Sequence, residues 1–480
     1  MITKRRMTAT VAALATGGFV FLSGCGKTEN APGSAPRYGP VSAPKAKFHT
    51  KAPGYTNWWA DWSKEQYLGG YEKAGKKDAK WDEPVRVALK MHSYSRVYGK
   101  PPPGNSLEDV RDHLKEAVDA GCDDPLILYL YHRQFANPPG SANPQVAAEY
   151  SRWTQAMDSS GYSSHLKFFV NLRTAQAWLA AFTNQVPEVN QFRRAAMRHL
   201  EHALCAEEMP AHAANDACNS LYDVVERNSK QRDDFALGAE GVLLKRWGNE
   251  AFPYELKGRF YIDYAWEARG GDWANTVKRE GWKLFAERLK VAEAALTRAW
   301  EIDPSFAPTP ILMMRLELGQ GRGRQRLETW FERAIKFPQN RYQAVQWKLW
   351  YLQPRWYGTE EECLQFAREM LPSNLFVGET PLLLYHTHES LAEYFKDDRP
   401  DYWLEAQVWP DIKACFGRYF ALNDDAGDWR QNYVKCAWRC HQWKVFVEEA
   451  DKLKSVNYSY FGDESEFKRM KQKARELAAE

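Results

Sequence analysis

The sequence predicts an all-α protein built from antiparallel helix hairpins stacked into a solenoid. From about residue 55 onward, Leu, Ala, Trp, Tyr and Phe recur at spacings of three and four residues with charged residues between them, which is the pattern of amphipathic helices. The alternating patterns typical of strands are scarce. Connections of only a few residues separate the helical segments, which favours antiparallel neighbours of the kind that stack into solenoids.

The first 24 residues are predicted to be an export signal. Basic residues at positions 4 to 6 precede an apolar run that is too short to span a bilayer and is flanked as in a signal peptide. The run is followed by a segment that resembles the bacterial lipobox, Leu22-Ser23-Gly24-Cys25. This resemblance implies that Cys25 is lipidated and becomes the first residue of the mature protein. The alternative is an ordinary signal peptide with an incidental cysteine.

The lipobox resemblance also implies a location. Gly26 follows Cys25, whereas Asp at that position marks retention in the inner membrane of some bacteria. We therefore expect an exported protein that is anchored to a bacterial membrane by its lipid, with the outer membrane favoured, and that faces the periplasm.

Residues 25–54 are predicted to form a flexible tether. This segment is rich in Pro, Ala, Ser, Gly and Lys and almost free of large aliphatic side chains, so it cannot repay the entropy of ordering. A flexible coil of this length has a typical span of roughly 30 Å. The tether would hold the helical body clear of the lipid head groups.

The charge balance excludes two kinds of attachment. The full sequence has 65 Lys and Arg and 62 Asp and Glu, and three of the basic residues lie in the predicted signal, so the mature chain is neutral. Nucleic-acid binding and electrostatic adsorption to a membrane both require a basic surface. We therefore predict no nucleic-acid partner and attachment to the membrane through the lipid alone.

Residue types that cap helices support the all-α prediction. Serine, threonine and aspartate side chains accept hydrogen bonds from the free N–H groups of a first helical turn, and proline fits the first helical position. The predicted helix starts are Ser106, Asp124 with Pro125, and Thr359 with Glu362, the last pair as a capping box.

A period of 34 residues runs through the second half of the chain. Pro304, Pro338 and Pro372 each follow a helix that carries a large residue and then Ala three positions later. The pairs are Leu296 with Ala299, Phe331 with Ala334, and Leu364 with Ala367. This arrangement resembles the tetratricopeptide repeat, in which a small residue lets two helices approach and a proline stops the second helix. The alternative is helical hairpins of similar length with coincident prolines.

The repeat pattern divides the chain after the tether. We predict an N-terminal helical region over 55–250 and a tetratricopeptide-like repeat region over 251–480. The match to the repeat is degenerate, since Glu360 stands where the repeat usually has another small residue.

Two segments of the repeat region carry a further resemblance. They are Tyr264-Ala265-Trp266-Glu267-Ala268-Arg269-Gly270-Gly271-Asp272-Trp273-Ala274-Asn275 and Tyr351-Leu352-Gln353-Pro354-Arg355-Trp356-Tyr357-Gly358, together with Trp282 and Phe285. The stretch from about Phe260 to Met370 is similar to an uncharacterised family of bacterial helical proteins, the domain-of-unknown-function 4034 type. The resemblance implies repeat-like helices and no assigned activity.

Aromatic and basic residues interleave in these segments and are the candidate binding residues. They are Trp266, Arg269, Trp273, Trp347, Tyr351, Arg355, Trp356 and Tyr357. Flat aromatic faces stack on sugars or peptide side chains, and arginine adds directional hydrogen bonds, so such a set can line a binding groove. The alternative is core packing between helices. Arg355 and Trp356 are the stronger candidates because they follow a helix end, where side chains have fewer packing partners.

A cluster of histidines and cysteines is a weak candidate for a metal site. His199, His202, Cys205, His212 and Cys218 include the nitrogen and sulfur ligands that zinc prefers, but their spacings match no standard site. In an oxidising compartment a disulfide between Cys205 and Cys218 competes with this interpretation. A second pairing, of Cys415 with Cys436 or Cys440, is also open. We predict no metal and no cofactor.

Two histidine motifs invite catalytic or haem interpretations. The segment Cys436-Ala437-Trp438-Arg439-Cys440-His441 is one residue longer than a haem-attachment motif and is more simply read as two helices joined near His441. His386 and His388 do not share a helix face, so we expect them at a helix start or in a loop. No Gly-x-Ser-x-Gly, His-Glu-x-x-His or Walker pattern occurs in the sequence.

The sequence therefore predicts a non-enzymatic interaction protein. A stacked-helix surface with aromatic and arginine anchors favours a protein or peptide partner. A glycan-binding lipoprotein is the alternative, and several coplanar exposed rings in one cleft would distinguish it. A helical hydrolase is a third interpretation, which requires a carboxyl with a raised pKa in an aromatic cleft.

Overall fold

A computed structural model describes residues 61–136, 143–182, 187–206, 209–226, 228–271, 274–373, 379–423 and 429–479. These residues form helices and connecting turns, with no strand among them, which confirms the predicted all-α class. The predicted signal peptide and tether, with Cys25, lie outside the described residues, and so does Trp273.

The described residues group into two compact units, each built from two segments. The amino-terminal unit comprises residues 61–264 and Arg288–Ala344, and the carboxy-terminal unit comprises Ala265–Glu287 and residues 345–479. Among the described helices, none combines the length and the apolar character that crossing a membrane requires.

Ten helices lie before residue 270 in the described part of the chain. They are α1 (Gly70–Ala74), α2 (Asp82–Tyr98), α3 (Leu107–Asp119), α4 (Pro125–Leu130), α5 (Pro144–Asp158), α6 (Ser164–Ala181), α7 (Pro187–Cys205), α8 (Ala211–Val225), α9 (Ser229–Trp247) and α10 (Phe252–Arg269). π-helical turns at Glu65–Gly69 and Tyr131–Ala136 precede α1 and follow α4.

The described helices after residue 270 continue the same pattern. They are α11 (Arg279–Ile302), α12 (Pro308–Gln320), α13 (Arg324–Ala334), α14 (Arg341–Leu352), α15 (Glu360–Met370), α16 (Leu382–Tyr394), α17 (Val408–Leu422), α18 (Trp429–Arg439), α19 (Trp443–Asp451) and α20 (Glu464–Ala479). Short 3₁₀ turns lie at Ala274–Thr276, Pro338–Asn340, Tyr402–Leu404 and Tyr458–Tyr460.

Consecutive helices pack against each other as hairpins, as predicted. The pairs include α2 with α3, α6 with α7, α12 with α13, and α18 with α19. The turn between α12 and α13 contains Gly321 and Gly323, both in left-handed backbone conformations that favour glycine. The turn between α18 and α19 contains His441, at a φ of 54°. The predicted break near His441 is therefore confirmed.

The predicted helix starts are confirmed by side-chain capping. At the start of α3, the Ser106 hydroxyl accepts from the Asp109 N–H at 3.1 Å, and the Asp109 carboxylate accepts from the Ser106 N–H at 2.6 Å. Asp124 caps α4 by accepting from the backbone of Leu126 and Ile127. Each cap satisfies N–H groups that a helix end leaves without partners.

The start of α15 differs in one detail from the predicted capping box. The Thr359 hydroxyl accepts from the Glu362 N–H at 3.2 Å, as expected. The Glu362 carboxylate, however, accepts from the Thr359 hydroxyl at 3.3 Å. Threonine therefore caps the helix, and the glutamate supports the threonine side chain.

The large and small residues of the 34-residue pattern lie in the core. Leu296, Ala299 and Ala334 are fully buried, and Phe331, Leu364 and Ala367 are at most 7% exposed. A close approach between α10 and α11 occurs at the first of these positions. A Cβ added to Gly258 would lie 2.4 Å from Leu296 Cγ, so α10 can pack here only because residue 258 has no side chain.

Candidate functional site

Five aromatic side chains of the carboxy-terminal unit meet around the loop that follows α14. We call Trp266, Phe285, Tyr351, Trp356 and Tyr357 the Trp356 cluster. The rings of Trp266 and Trp356 lie 5.8 Å apart at 84°, and those of Trp266 and Phe285 lie 4.9 Å apart at 68°. Tyr357 packs on Tyr351 at 4.7 Å. These edge-to-face and tilted contacts are the arrangements that aromatic pairs prefer.

The loop that carries Trp356 and Tyr357 is held by its own backbone. The Trp356 N–H donates to the Gln353 carbonyl at 2.8 Å, and the Tyr357 N–H donates to the Tyr351 carbonyl at 3.2 Å. A Cβ at Gly358 would lie 2.1 Å from the Leu352 carbonyl oxygen, so the chain can return this closely to the end of α14 only with glycine there. The loop therefore presents its two aromatic residues from a fixed backbone.

Exposure within the Trp356 cluster is graded. Tyr351 is 2% exposed, Trp266 is 8% exposed, Trp356 is partly buried, and Tyr357 is 41% exposed. The cluster thus consists of an exposed tyrosine and a partly buried tryptophan on a buried aromatic base. Such a base fixes the orientation of the exposed rings, which lowers the entropy lost when a partner packs on them.

The two predicted arginines contact the protein itself. Arg269 is 5% exposed, lies over the rings of Trp266 and Trp282, and donates to the Gly270 carbonyl at 2.9 Å. It therefore packs against the base of the Trp356 cluster.

Arg355 joins its loop to α16. Its guanidinium donates to the Ser390 carbonyl at 3.0 Å and lies 5.6 Å from the Trp350 ring and 5.5 Å from the Tyr394 ring. Burial lowers the pKa of the Arg355 guanidinium from its usual range. The remaining predicted residue in this region, Trp347, is partly buried on α14.

The predicted histidine and cysteine cluster does not converge. His199 Nε2 lies 3.0 Å from Asp158 Oδ1, and burial lowers the pKa of His212. His202 lies in the last turn of α7. Among the described residues, no group of three or more His, Cys, Asp or Glu side chains is placed to hold a metal ion.

The predicted disulfides are absent, which corrects that part of the sequence interpretation. Cys205 is exposed at the end of α7, whereas Cys218 is buried within α8, and both are free thiols. The two side chains face different environments because α8 turns Cys218 into the core. The other candidates, Cys415, Cys436 and Cys440, are also free and buried.

His386 and His388 lie within α16, which corrects the expectation that they occupy a helix start or a loop. His388 is fully buried, with Nδ1 2.8 Å from Tyr402 Oη and Nε2 3.0 Å from Asp411 Oδ2. Arg368 donates to both oxygens of Asp411. Histidine beside aspartate also occurs in catalytic triads. Here the histidine and Tyr402 are both buried away from solvent, so we interpret the group as a structural network.

Replacing Asp411 by asparagine is expected to lower the free energy of unfolding by about 2 kcal/mol at neutral pH, because a buried network loses a charged acceptor. Burial alone would raise the pKa of Asp411, but hydrogen bonds from His388 and Arg368 outweigh it and hold that pKa below its usual range. The wild-type protein therefore loses this contribution as the pH falls through the lowered pKa. Urea unfolding at several pH values measures both effects.

The exposed Asp398 of the same unit provides a control for this prediction. Asp398→Asn should leave the free energy of unfolding unchanged at neutral pH. Equal stability of Asp411→Asn and wild type would show that the network contributes nothing.

No sequence signal could have identified this network, because its members lie far apart along the chain. Aromatic and arginine spacing did locate the Trp356 cluster, but it could not distinguish exposed from buried rings. No protein-family model matches the chain, and no curated protein matches it either.

Proposed function

We propose that the protein is a lipid-anchored, non-catalytic interaction protein that binds a protein or peptide partner through Trp356 and Tyr357. The observation that carries this proposal is the exposed Tyr357 ring on a fixed, buried aromatic base. Tyrosine and tryptophan are enriched among the residues that dominate binding energy at protein interfaces. An aromatic anchor of this kind also has few rotatable bonds to immobilise.

Ring geometry supports a protein partner over a glycan. Binding along a sugar chain uses several exposed rings that lie in one plane, whereas the rings of Trp266 and Trp356 cross at 84° and those of Trp356 and Tyr357 at 42°. The helical setting offers the partner a surface of side chains between the helices. A glycan remains the alternative ligand, to be distinguished by experiment.

Anchoring rests on the lipobox-like segment ending at Cys25. We expect the full chain to incorporate labelled fatty acid and to sediment with membranes, and Cys25→Ser to do neither, because the thiol is the site of acylation. The same resemblance of residues 22–25 to the bacterial lipobox supports a location on the periplasmic side. Labelled fatty acid on the Cys25→Ser protein would contradict this assignment.

Binding is tested by quantitative capture from gently crosslinked membranes. Tyr357→Ala is expected to reduce recovery of the partner about tenfold, the effect of losing one aromatic anchor. Its thermal midpoint should fall only slightly, because Tyr357 is already 41% exposed in the folded protein.

Tyr342→Ala serves as the matched control, since Tyr342 is a tyrosine of similar exposure in the other unit. The control should capture the partner as the wild type does. Equal capture by all three proteins would refute binding at Tyr357, and recovery of a glycan in place of a protein would support the alternative.

A further inference from the structure

Three arginines of the amino-terminal unit line one small cavity. Arg96 comes from α2, Arg133 from the π-helical turn after α4, and Arg173 from α6. The cavity has a volume of about 30 Å³, which is room for roughly two or three water-sized groups. The apolar part of its wall consists of Leu126, Leu130, Leu166, Phe169 and Val170.

None of the three arginines has a carboxylate at ion-pair distance within the described part of the chain. Arg96 lies 5.9 Å from the Phe169 ring, Arg133 lies 6.0 Å from the Tyr129 ring, and Arg173 donates to Gln176 Oε1 at 2.8 Å. The pKa of Arg173 is lowered mainly by burial and further by repulsion from the guanidinium groups of Arg133 and Arg96. Arg133 and Arg173 are partly buried and Arg96 is exposed, so the mutual repulsion acts mainly on the two partly buried guanidinium groups, and an anion between them would offset it.

A fourth polar group lines the same cavity. Tyr129 is 4% exposed, and its Oη is buried with no hydrogen-bond partner among the described residues. Burial raises the pKa of Tyr129 to about 12, so the phenol keeps its proton at neutral pH and can donate it in a hydrogen bond. Buried hydroxyl groups are nearly always hydrogen-bonded, so the Tyr129 hydroxyl is available to donate to an acceptor that enters the cavity.

We propose that this cavity receives two or three oxygens of a phosphate group, either free or at the end of a small phosphate ester, while the rest of the group lies outside it. Guanidinium groups pair with phosphate oxygens through parallel hydrogen bonds, and the Tyr129 hydroxyl supplies a further donor. A phosphate dianion offsets more of the arginine charge than a carboxylate does and offers more acceptor oxygens. The site lies in a different unit from the Trp356 cluster and does not depend on the proposed partner binding.

The test is isothermal titration of the full chain carrying Cys25→Ser with inorganic phosphate at constant ionic strength. We expect saturable binding with a Kd of about 1 mM or tighter. Arg173→Gln and Tyr129→Phe should each weaken binding at least about tenfold, because each removes a donor to the anion. Arg152→Gln is the matched control, since Arg152 lies on α5 over Trp153 and does not line the cavity.

A second measurement distinguishes a loss of phosphate binding from unfolding of the variants. Without phosphate, the thermal midpoint of Arg173→Gln should equal or exceed that of the wild type, because the substitution relieves repulsion between the guanidinium groups. Phosphate should raise the midpoint of the wild type and of Arg152→Gln, but not that of Arg173→Gln. The proposal would be overturned if the wild type did not bind phosphate. It would also be overturned if both Arg173→Gln and Tyr129→Phe bound phosphate as tightly as the wild type does.

The source of the phosphate is distinguished with vesicles. Phosphatidylcholine vesicles with and without phosphatidic acid present the same phosphate group on a lipid. Retention that requires phosphatidic acid and is lost in Arg173→Gln would identify a lipid headgroup as the ligand. Binding of free phosphate without vesicle retention would identify a soluble ester, and both results support a phosphate site.

Discussion

Replacing Leu296 by alanine is expected to lower the free energy of unfolding by about 3 kcal/mol, because a fully buried leucine leaves a cavity that the core fills only in part. Leu296 lies on α11 against Gly258 of α10. Urea unfolding followed by intrinsic tryptophan fluorescence measures the change as a lower midpoint with an unchanged slope. An unchanged midpoint would mean that α10 and α11 do not pack at this position.

A second substitution tests the same contact from the other helix. Gly258→Ala would place a Cβ 2.4 Å from Leu296 Cγ, and overpacking of this kind costs about 1 to 3 kcal/mol. In the Leu296→Ala background the clash is removed, so the double variant should be more stable than the sum of the single effects indicates. Strictly additive effects would contradict the close approach of the two helices.

Replacing Glu255 by glutamine is expected to stabilise the protein at pH 8 by about 3 kcal/mol. Glu255 lies on α10, is 3% exposed, and has a carboxyl oxygen without a hydrogen-bond partner among the described residues. Burial raises its pKa to about 7, against the weaker opposite effect of Arg259. The folded protein therefore favours the protonated carboxyl, whereas the unfolded chain ionises it near its ordinary pKa.

The sign of the pH dependence follows from this difference. Between the unfolded and folded pKa values the native state holds a proton that the unfolded state has lost, so wild-type stability falls as the pH rises. Glutamine cannot ionise, and the stability gained by Glu255→Gln should shrink to nearly zero below about pH 4, where the unfolded chain also keeps its proton. Urea unfolding at several pH values measures this gain.

Glu250→Gln is the control for Glu255→Gln. Because Glu250 is exposed, this variant should have the same free energy of unfolding as the wild type at every pH. A Glu255→Gln protein that is no more stable than the wild type at pH 8 would contradict a buried carboxyl with a raised pKa. Glu255 also meets the raised-pKa requirement of the hydrolase interpretation. Its burial leaves a substrate no direct access, so we assign it no catalytic role.

The sequence predicted the features of the fold that depend on neighbouring residues. Ser106, Asp124 and Thr359 cap helices because their side chains need to reach only the next two or three N–H groups. The break at His441 is local in the same sense. These predictions required no knowledge of how distant segments meet.

Features that depend on distant contacts were beyond the sequence. Arg355 was predicted to be available to a ligand because it follows a helix end, but Ser390 and Tyr394 of α16 enclose its guanidinium. Cys205 and Cys218 are near in sequence, yet Cys205 is exposed at the end of α7, whereas the packing of α8 turns Cys218 into the core. Helical periodicity identifies a buried face and does not identify which helix covers it.

The most direct test of the proposed function places a photocrosslinking amino acid at position 357 of the membrane-anchored full chain. The account predicts a discrete crosslink to one protein from position 357, and none from the similarly exposed position 342. The crosslink should weaken when Trp356 is replaced by alanine, since the two rings are neighbours. Identical crosslinking patterns from positions 357 and 342, or no protein crosslink from position 357, would contradict partner binding at the Trp356 cluster.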